Sequence, residues 1–443
     1  MTNPFLLRAC RVAFIAGVLA GAASTVSAQT PGGERPGRPN AGLFGGGVGD
    51  SEQSLIFTGQ LGGGWDHLLT PAADGAASGR TDPGATFAHW NGNLGYRLAR
   101  PRASLTLSGD TSGRYFPEFE QPTVSAFGSS AVAQVTVARR TVLVGDFRLT
   151  QRPVSALSLA SGFGAGLLPV DYASGTVDYR TTAGNIGVIQ TLTQRTNVSA
   201  GYGGMLIRTD PGDDQQSSRY GYLRLGHNLT RTLGLRLGYG QTQYEYRTDE
   251  PAVDGPDRRI RSHNIDAGID YNRTLSISRR TTLAVNTGSI LVTDGDESLF
   301  SLVGGATLAR ELGRSWGASL DYRRSVGFLE VFDSPTLIDD ATFSLGGLIG
   351  RRLRFSSNLG ASRGSVGFFR GEGTDYVTYR GGASLSMALT RLFAVRGDYA
   401  YSQYQFDDPM AVPDVLGTGH VRYNSVRVGL DVWTPLWTRA RRP

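Results

Sequence analysis

Residues 228–246 read NLTRTLGLRLGYGQTQYEY, and residues 388–406 read ALTRLFAVRGDYAYSQYQF. Both contain Leu-Thr-Arg, then an apolar alternation carrying one arginine, then a tyrosine and Gln-Tyr in the same register. In the first, Leu233, Leu235, Leu237 and Tyr239 alternate with Gly234, Arg236 and Gly238. Successive side chains of an extended chain point to opposite faces, so one face here is apolar and the other polar. The second copy keeps the parity, with Phe393, Val395 and Tyr399 against Arg396 and Asp398.

The pattern recurs along the chain. Leu105 and Leu107 oppose Ser104, Thr106, Ser108 and Asp110, and Ile265, Ala267, Ile269 and Tyr271 oppose Asp266, Gly268 and Asp270. Trp316, Ala318, Leu320 and Tyr322 oppose Ser319, Asp321 and Arg323; Val426, Val428, Leu430 and Val432 oppose Arg427 and Asp431. Each stretch runs for roughly 10 to 14 residues, longer than a soluble strand needs and enough to cross a bilayer at a tilt.

The connections alternate in kind. Short turns carrying arginine recur at 100–102, 139–140, 193–195, 230–232, 279–280, 310–314, 351–352 and 390–391. Between them lie mostly longer, acidic connections such as 66–82, 210–214, 249–257, 294–297, 330–340 and 407–414. Short periplasmic turns and longer outer loops characterise outer-membrane barrels. The expected fold is all-β: a transmembrane antiparallel up-and-down β-barrel of about 18 strands, within roughly 16 to 20. In hydrocarbon an unpaired backbone polar group costs several kcal/mol, so such a sheet has to close on itself.

Arg8 and Arg11, the apolar stretch 12–22 and Val26-Ser27-Ala28 fit a secretory signal peptide over 1–28. The sole cysteine, Cys10, falls inside it, so no disulfide or thiolate metal site is expected in the mature chain. Residues 29–52 read as a flexible Gly/Pro-rich leader, 53–437 as the barrel, and 438–443 as a basic tail. After the signal no run of 18 apolar residues remains. All 44 basic residues are arginine. The net charge of +6 says little about partners, and no nucleic-acid partner is expected.

An 18-strand barrel is too wide for its own side chains to fill. The candidates for lining the lumen are Asp110, Arg114, Arg148, Arg236, Asp266, Asp270, Asp321, Arg323, Arg396, Asp398, Arg427 and Asp431. Two readings stay open: mixed charge that selects solutes, or the charge of any wet wall. Residues 153–172, PVSALSLASGFGAGLLPVDY, break the rule that loops are polar. Leu157, Leu159, Phe163, Leu167 and Leu168 are candidates for a loop folded inward to narrow the pore. An extra hairpin or packing against a neighbouring subunit would bury them equally well.

Ser262-His263-Asn264 is the one cluster resembling a catalytic group, and neighbours on a strand face opposite sides. The acidic groups at 210–214 and 294–297 lack EF-hand spacing, and Asp-Gly pairs are ordinary turn formers. No catalytic residue, metal or cofactor is expected.

The signal, the Gly/Pro leader, the tyrosine-rich period-two strands and the arginine turns LTRTL (229–233) and LTRLF (389–393) resemble bacterial outer-membrane β-barrel proteins of the porin-like kind. They are most similar to the porin-like barrels associated with exopolysaccharide export. The resemblance covers 53–437 as pattern. It implies an outer-membrane location after signal-dependent export, and contact with the assembly machinery, outer-membrane lipids and lipopolysaccharide. A homo-oligomer is one arrangement that the sequence leaves open. The expected function is a passive water-filled channel for polar solutes, with oligo- or polysaccharide as the specific version. The alternative is a structural or surface-interaction barrel plugged by its own loops. The family's chains typically end on Phe or Trp; here Trp437 is followed by 438–443, so either the last strand ends at Trp437 with a tail beyond it, or recognition by the assembly machinery is atypical.

Overall fold

A computed structural model describes residues 43–45, 51–67, 84–118, 123–153, 178–210, 215–230, 232–247, 258–274, 280–294, 297–328, 335–366, 374–406 and 420–440. The expected signal segment, most of the leader, and the loop candidates Leu157, Leu159, Phe163, Leu167 and Leu168 lie outside the described residues.

The repeated Leu-Thr is a turn, built the same way three times. The Thr193, Thr230 and Thr390 hydroxyls each accept backbone N–H groups two and three residues on, at 3.0–3.2 Å. Each of these threonines also donates its own N–H to the carbonyl three residues later: Thr196, Leu233 and Phe393. A hydroxyl that satisfies the turn's free donors closes a hairpin tightly. The shared spelling therefore encodes a shared turn.

The strands are β1 (Ser51–His67), β2 (Ala85–Arg100), β3 (Ala103–Tyr115), β4 (Thr123–Ala138), β5 (Thr141–Pro153), β6 (Asp178–Thr191), β7 (Thr196–Asp210), β8 (Gln215–Asn228) and β9 (Leu233–Arg247). They continue as β10 (Arg258–Thr274), β11 (Thr281–Asp294), β12 (Glu297–Leu312), β13 (Trp316–Phe328), β14 (Pro335–Ile349), β15 (Leu353–Val366), β16 (Thr374–Ala388), β17 (Phe393–Phe406) and β18 (His420–Ala440). Each pairs antiparallel with its sequence neighbours, and β1 pairs with β18, so the 18-stranded sheet closes.

The closing seam runs from Ser51↔Ala440 to His67↔Asn424. Two departures from the expected outline follow. The last strand does not stop at Trp437: Thr438, Arg439 and Ala440 pair with Ser54, Gln53 and Ser51, so the supposed tail completes the ladder. The register then slips by one between Leu55↔Trp437 and Ile56↔Pro435, leaving Leu436 extra. Proline has no N–H to give a ladder, and a bulge tolerates it. The acidic connection at 294–297 is also not long, because Asp294 and Glu297 are themselves a ladder pair.

A second irregularity lies between β10 and β11. Between the pairs Ile265↔Ser289 and Tyr271↔Val285, residues 266–270 stand against 286–288 without a regular ladder. Side chains patch the gap. Arg236 of β9 donates to the Thr287 carbonyl at 3.0 Å, the Ile269 N–H donates to Thr287 Oγ1, and Ser289 Oγ donates to the Ile265 carbonyl.

The two faces differ as the alternation requires. Leu61, Leu223, Leu237, Phe300, Leu302 and Val428 are exposed on the outer face, while Asp66, Arg114, Ser425 and Arg427 are buried on the inner one. A continuous exposed apolar band of this extent is incompatible with water and suited to lipid. Aromatic residues near the strand ends divide between the two faces. Tyr115, Tyr239, Tyr322, Tyr399 and Trp437 are exposed on the outer face. Trp433 instead pairs with Thr58 on the inner face, beside Gly45.

Candidate functional site: the inner wall

Backbone register places the candidate lumen residues on one face. Asp110 stands opposite Asn93 and Gly128; Arg114 opposite His89; Arg148 opposite Ser130 and Ala183. Asp266 takes the position opposite Gly238, and Asp321 and Arg323 stand opposite Thr342 and Asp340. Asp398 stands directly opposite Arg427, and Asp431 opposite Gln60. Strand order then brings Arg114, Arg236, Asp270, Arg396, Asp398 and Asp431 into local groups carrying both signs of charge.

In the first group, Arg114 of β3 reaches across β2 to form a close ion pair with Asp66 of β1, and both side chains are almost fully buried, at 3% and 0% exposure. The guanidinium lies 4.5 Å above the ring of Phe87, which packs on Phe116 at 5.4 Å. Gly64 of β1 makes room for Phe87 and Arg427, with which a side chain there would collide.

The second group was not foreseen. Arg380 of β16 crosses β15 to Asp340 of β14 at 2.6 Å and donates to Thr342 Oγ1 at 3.2 Å; Ser362 also donates to Asp340. Arg380 passes over Gly360, where a Cβ would sit 2.6 Å from its Nε. In the linear sequence Asp66 and Asp340 fall in the acidic connections 66–82 and 330–340, whereas both lie on strands. The signal that places Asp340 on a strand is the alternation Asp340, Thr342, Ser344 against Ala341, Phe343, Leu345.

The third group lies on β16 to β18. Arg396 Nε donates to Asp398 at 2.9 Å and to Ser384 Oγ at 3.1 Å, and its Nη1 stands 3.8 Å from Asp431. In the fourth, Arg236 donates to Asp270 at 2.6 Å while holding the Thr287 carbonyl. Asp321 accepts from Thr307 at 2.7 Å and from Ser319 at 3.0 Å. Ser262 and Asn264 share the inner face, whereas His263 faces outward and shares a hydrogen bond with Tyr239, so the three do not converge.

Exposure grades along the inner wall. Near the short turns Ser104, Thr106 and Gln134 are exposed. Towards the longer connections Asp66, Phe116, Ile207, Ile260, Val292, Thr336, Ile338, Tyr423 and Ser425 are buried. These buried residues lie on or beside strands spread around the circumference, so side chains at that end of the inner wall are covered rather than open to solvent.

At the opposite rim, the Leu43 N–H donates to the Arg351 carbonyl and the Gly45 N–H to the Arg391 carbonyl, both at 3.2 Å. The segment before β1 is thereby tied to the turns after β14 and β16.

The wall, once built, can be set beside known proteins. No protein-family model and no curated protein matches the chain. Among solved structures it is similar to Pseudomonas aeruginosa OpdQ (12% identity, 88% of this chain and 98% of that one, TM-score 0.44). It is similar to Pseudomonas aeruginosa OccK2 (OpdF) at 10% identity, 87% and 98% coverage and TM-score 0.45. It is also similar to the siderophore receptor PirA from Pseudomonas aeruginosa at 9% identity, 86% and 80% coverage and TM-score 0.40. At such identities and scores the functional reading has to come from this chain's own residues.

Proposed function

We propose that the chain is an outer-membrane channel through which small polar solutes pass passively. The observation that carries this reading is the pairing of a closed sheet with two chemically opposite faces, apolar outside and charged within. Lipid solvates the first face and water the second. Charge on the inner wall is balanced group by group, as in Arg236–Asp270, Arg380–Asp340 and Arg396–Asp398. Fields from such neutral groups fall off quickly in water, which favours neutral or zwitterionic solutes over strongly charged ones. The buried inner side chains near the longer connections favour small solutes over a polysaccharide.

That same burial favours a second reading, a barrel whose lumen is closed on one half. Planar-bilayer recording separates the two. The channel reading expects discrete ohmic steps with weak preference between cations and anions. Electrical silence from barrels shown by protease protection to be inserted contradicts it and supports the closed barrel.

A further inference from the structure

Down the outer face of β8 to β10, successive cross-strand rows change character within four steps. Leu225, Leu237 and Ala267 form one row, and Leu223, Tyr239 and Ile265 the next. Then come Gly221, Gln241 and His263, and after them Arg219, Gln243 and Arg261. Arg219 and Arg261 are both exposed and flank Gln243 on either side. With strands about 4.8 Å apart, their backbones stand roughly 10 Å from each other, close enough for both guanidiniums to close on one group. Gly221 leaves the space beneath them open, since a Cβ there would meet only Tyr202, 3.7 Å away, and a backbone oxygen. His263 is held by Tyr239 at 2.8 Å, and the acid in the next row, Glu245, is already engaged by Arg259 at 2.8 Å.

We infer that this patch binds the phosphorylated sugar headgroup of a membrane lipid. Two arginines on the lipid side of a barrel, just beyond its apolar rows, stand at headgroup depth, where an arginine costs little and an anionic headgroup can meet it. A phosphate monoester accepts from the planar guanidinium fork bidentately. The glutamines and His263 supply partners for sugar hydroxyls, and the leucine row continues into acyl chains. The arginine row lies towards the longer connections, whereas at the short-turn end of the same strands Leu233 and Leu235 face out. A headgroup site on one side only fits a lipid confined to one leaflet. The inference rests on the transmembrane disposition of the barrel but not on its conducting anything.

The test is native mass spectrometry of detergent-solubilised protein with three probes: diphosphorylated lipid A, phosphatidylethanolamine and inorganic phosphate. The expected result is lipid A binding that weakens roughly 10- to 100-fold for each arginine lost in Arg219→Gln and Arg261→Gln, with Arg310→Gln, at the opposite end of the barrel, as a control that changes nothing. Unchanged strand content by circular dichroism shows that the variants fold. Equal binding by parent and double variant overturns the inference, as does displacement of lipid A by equimolar inorganic phosphate. The double variant is expected to conduct as the parent does, so silence from both would sink the channel reading and leave this one standing.

Discussion

Replacing Arg114 with alanine lowers the stability of the folded barrel by about 3–5 kcal/mol, measured by urea unfolding in lipid vesicles. Arg114 and Asp66 form an ion pair whose side chains are nearly free of solvent. Removing the cation takes the arginine away from a fully buried carboxylate, and loss of one member of a buried pair is what makes such losses large. The double variant Asp66→Asn with Arg114→Leu removes both charges and is expected to recover most of the loss. A single-variant loss below about 1 kcal/mol would put the pair in the class of exposed surface bridges and contradict the burial described.

The second large effect belongs to the outer face. Leu430 is 39% exposed and pairs with Leu61, which is 68% exposed, near the middle of the closing seam. In a soluble protein Leu430→Arg would be nearly neutral or favourable. In a barrel with lipid against that face it costs about 2–4 kcal/mol, the figure for arginine at the bilayer midplane. The inward neighbour Gly429 offers the contrast in geometry: it packs against Leu61 O and Gln60 rather than lipid. The measurement is again vesicle unfolding, with Leu61→Arg expected to behave alike. No effect from either substitution would remove lipid from the outer face.

Much of this architecture was legible because a half-buried strand has to alternate. The facing of alternate residues, the hairpin order and a strand number of about 18 follow from period-two stretches separated by turns. The Leu-Thr-Arg spelling survives because a threonine hydroxyl is an economical way to satisfy a tight turn. Composition misleads where an acid lies within a strand rather than in a connection. Asp66 and Asp340 look like loop residues in the linear sequence, yet each is neutralised by an arginine two strands away, a relation no local window contains. The same blindness hid Arg380, whose partner is reached only because Gly360 leaves the crossing clear. The end of β18 was misplaced for a related reason: Thr438, Arg439 and Ala440 have no apolar alternation of their own and are ordered by pairing with the first strand. Between β10 and β11 the alternation Asp266, Gly268, Asp270 is perfect while the ladder is not, so regular spelling does not guarantee regular pairing.

The central claim is that one parity of every strand meets water inside the barrel and the other meets lipid. Cysteine scanning of β3 in reconstituted vesicles tests it directly, in a background where Cys10, the only native cysteine, is serine. A charged, membrane-impermeant thiol reagent is expected to modify the cysteines of Ser104→Cys, Thr106→Cys, Ser108→Cys and Asp110→Cys and to spare those of Leu105→Cys, Leu107→Cys and Gly109→Cys. A bilayer-soluble maleimide should reverse the order. Equal modification of both parities by the charged reagent would contradict the account.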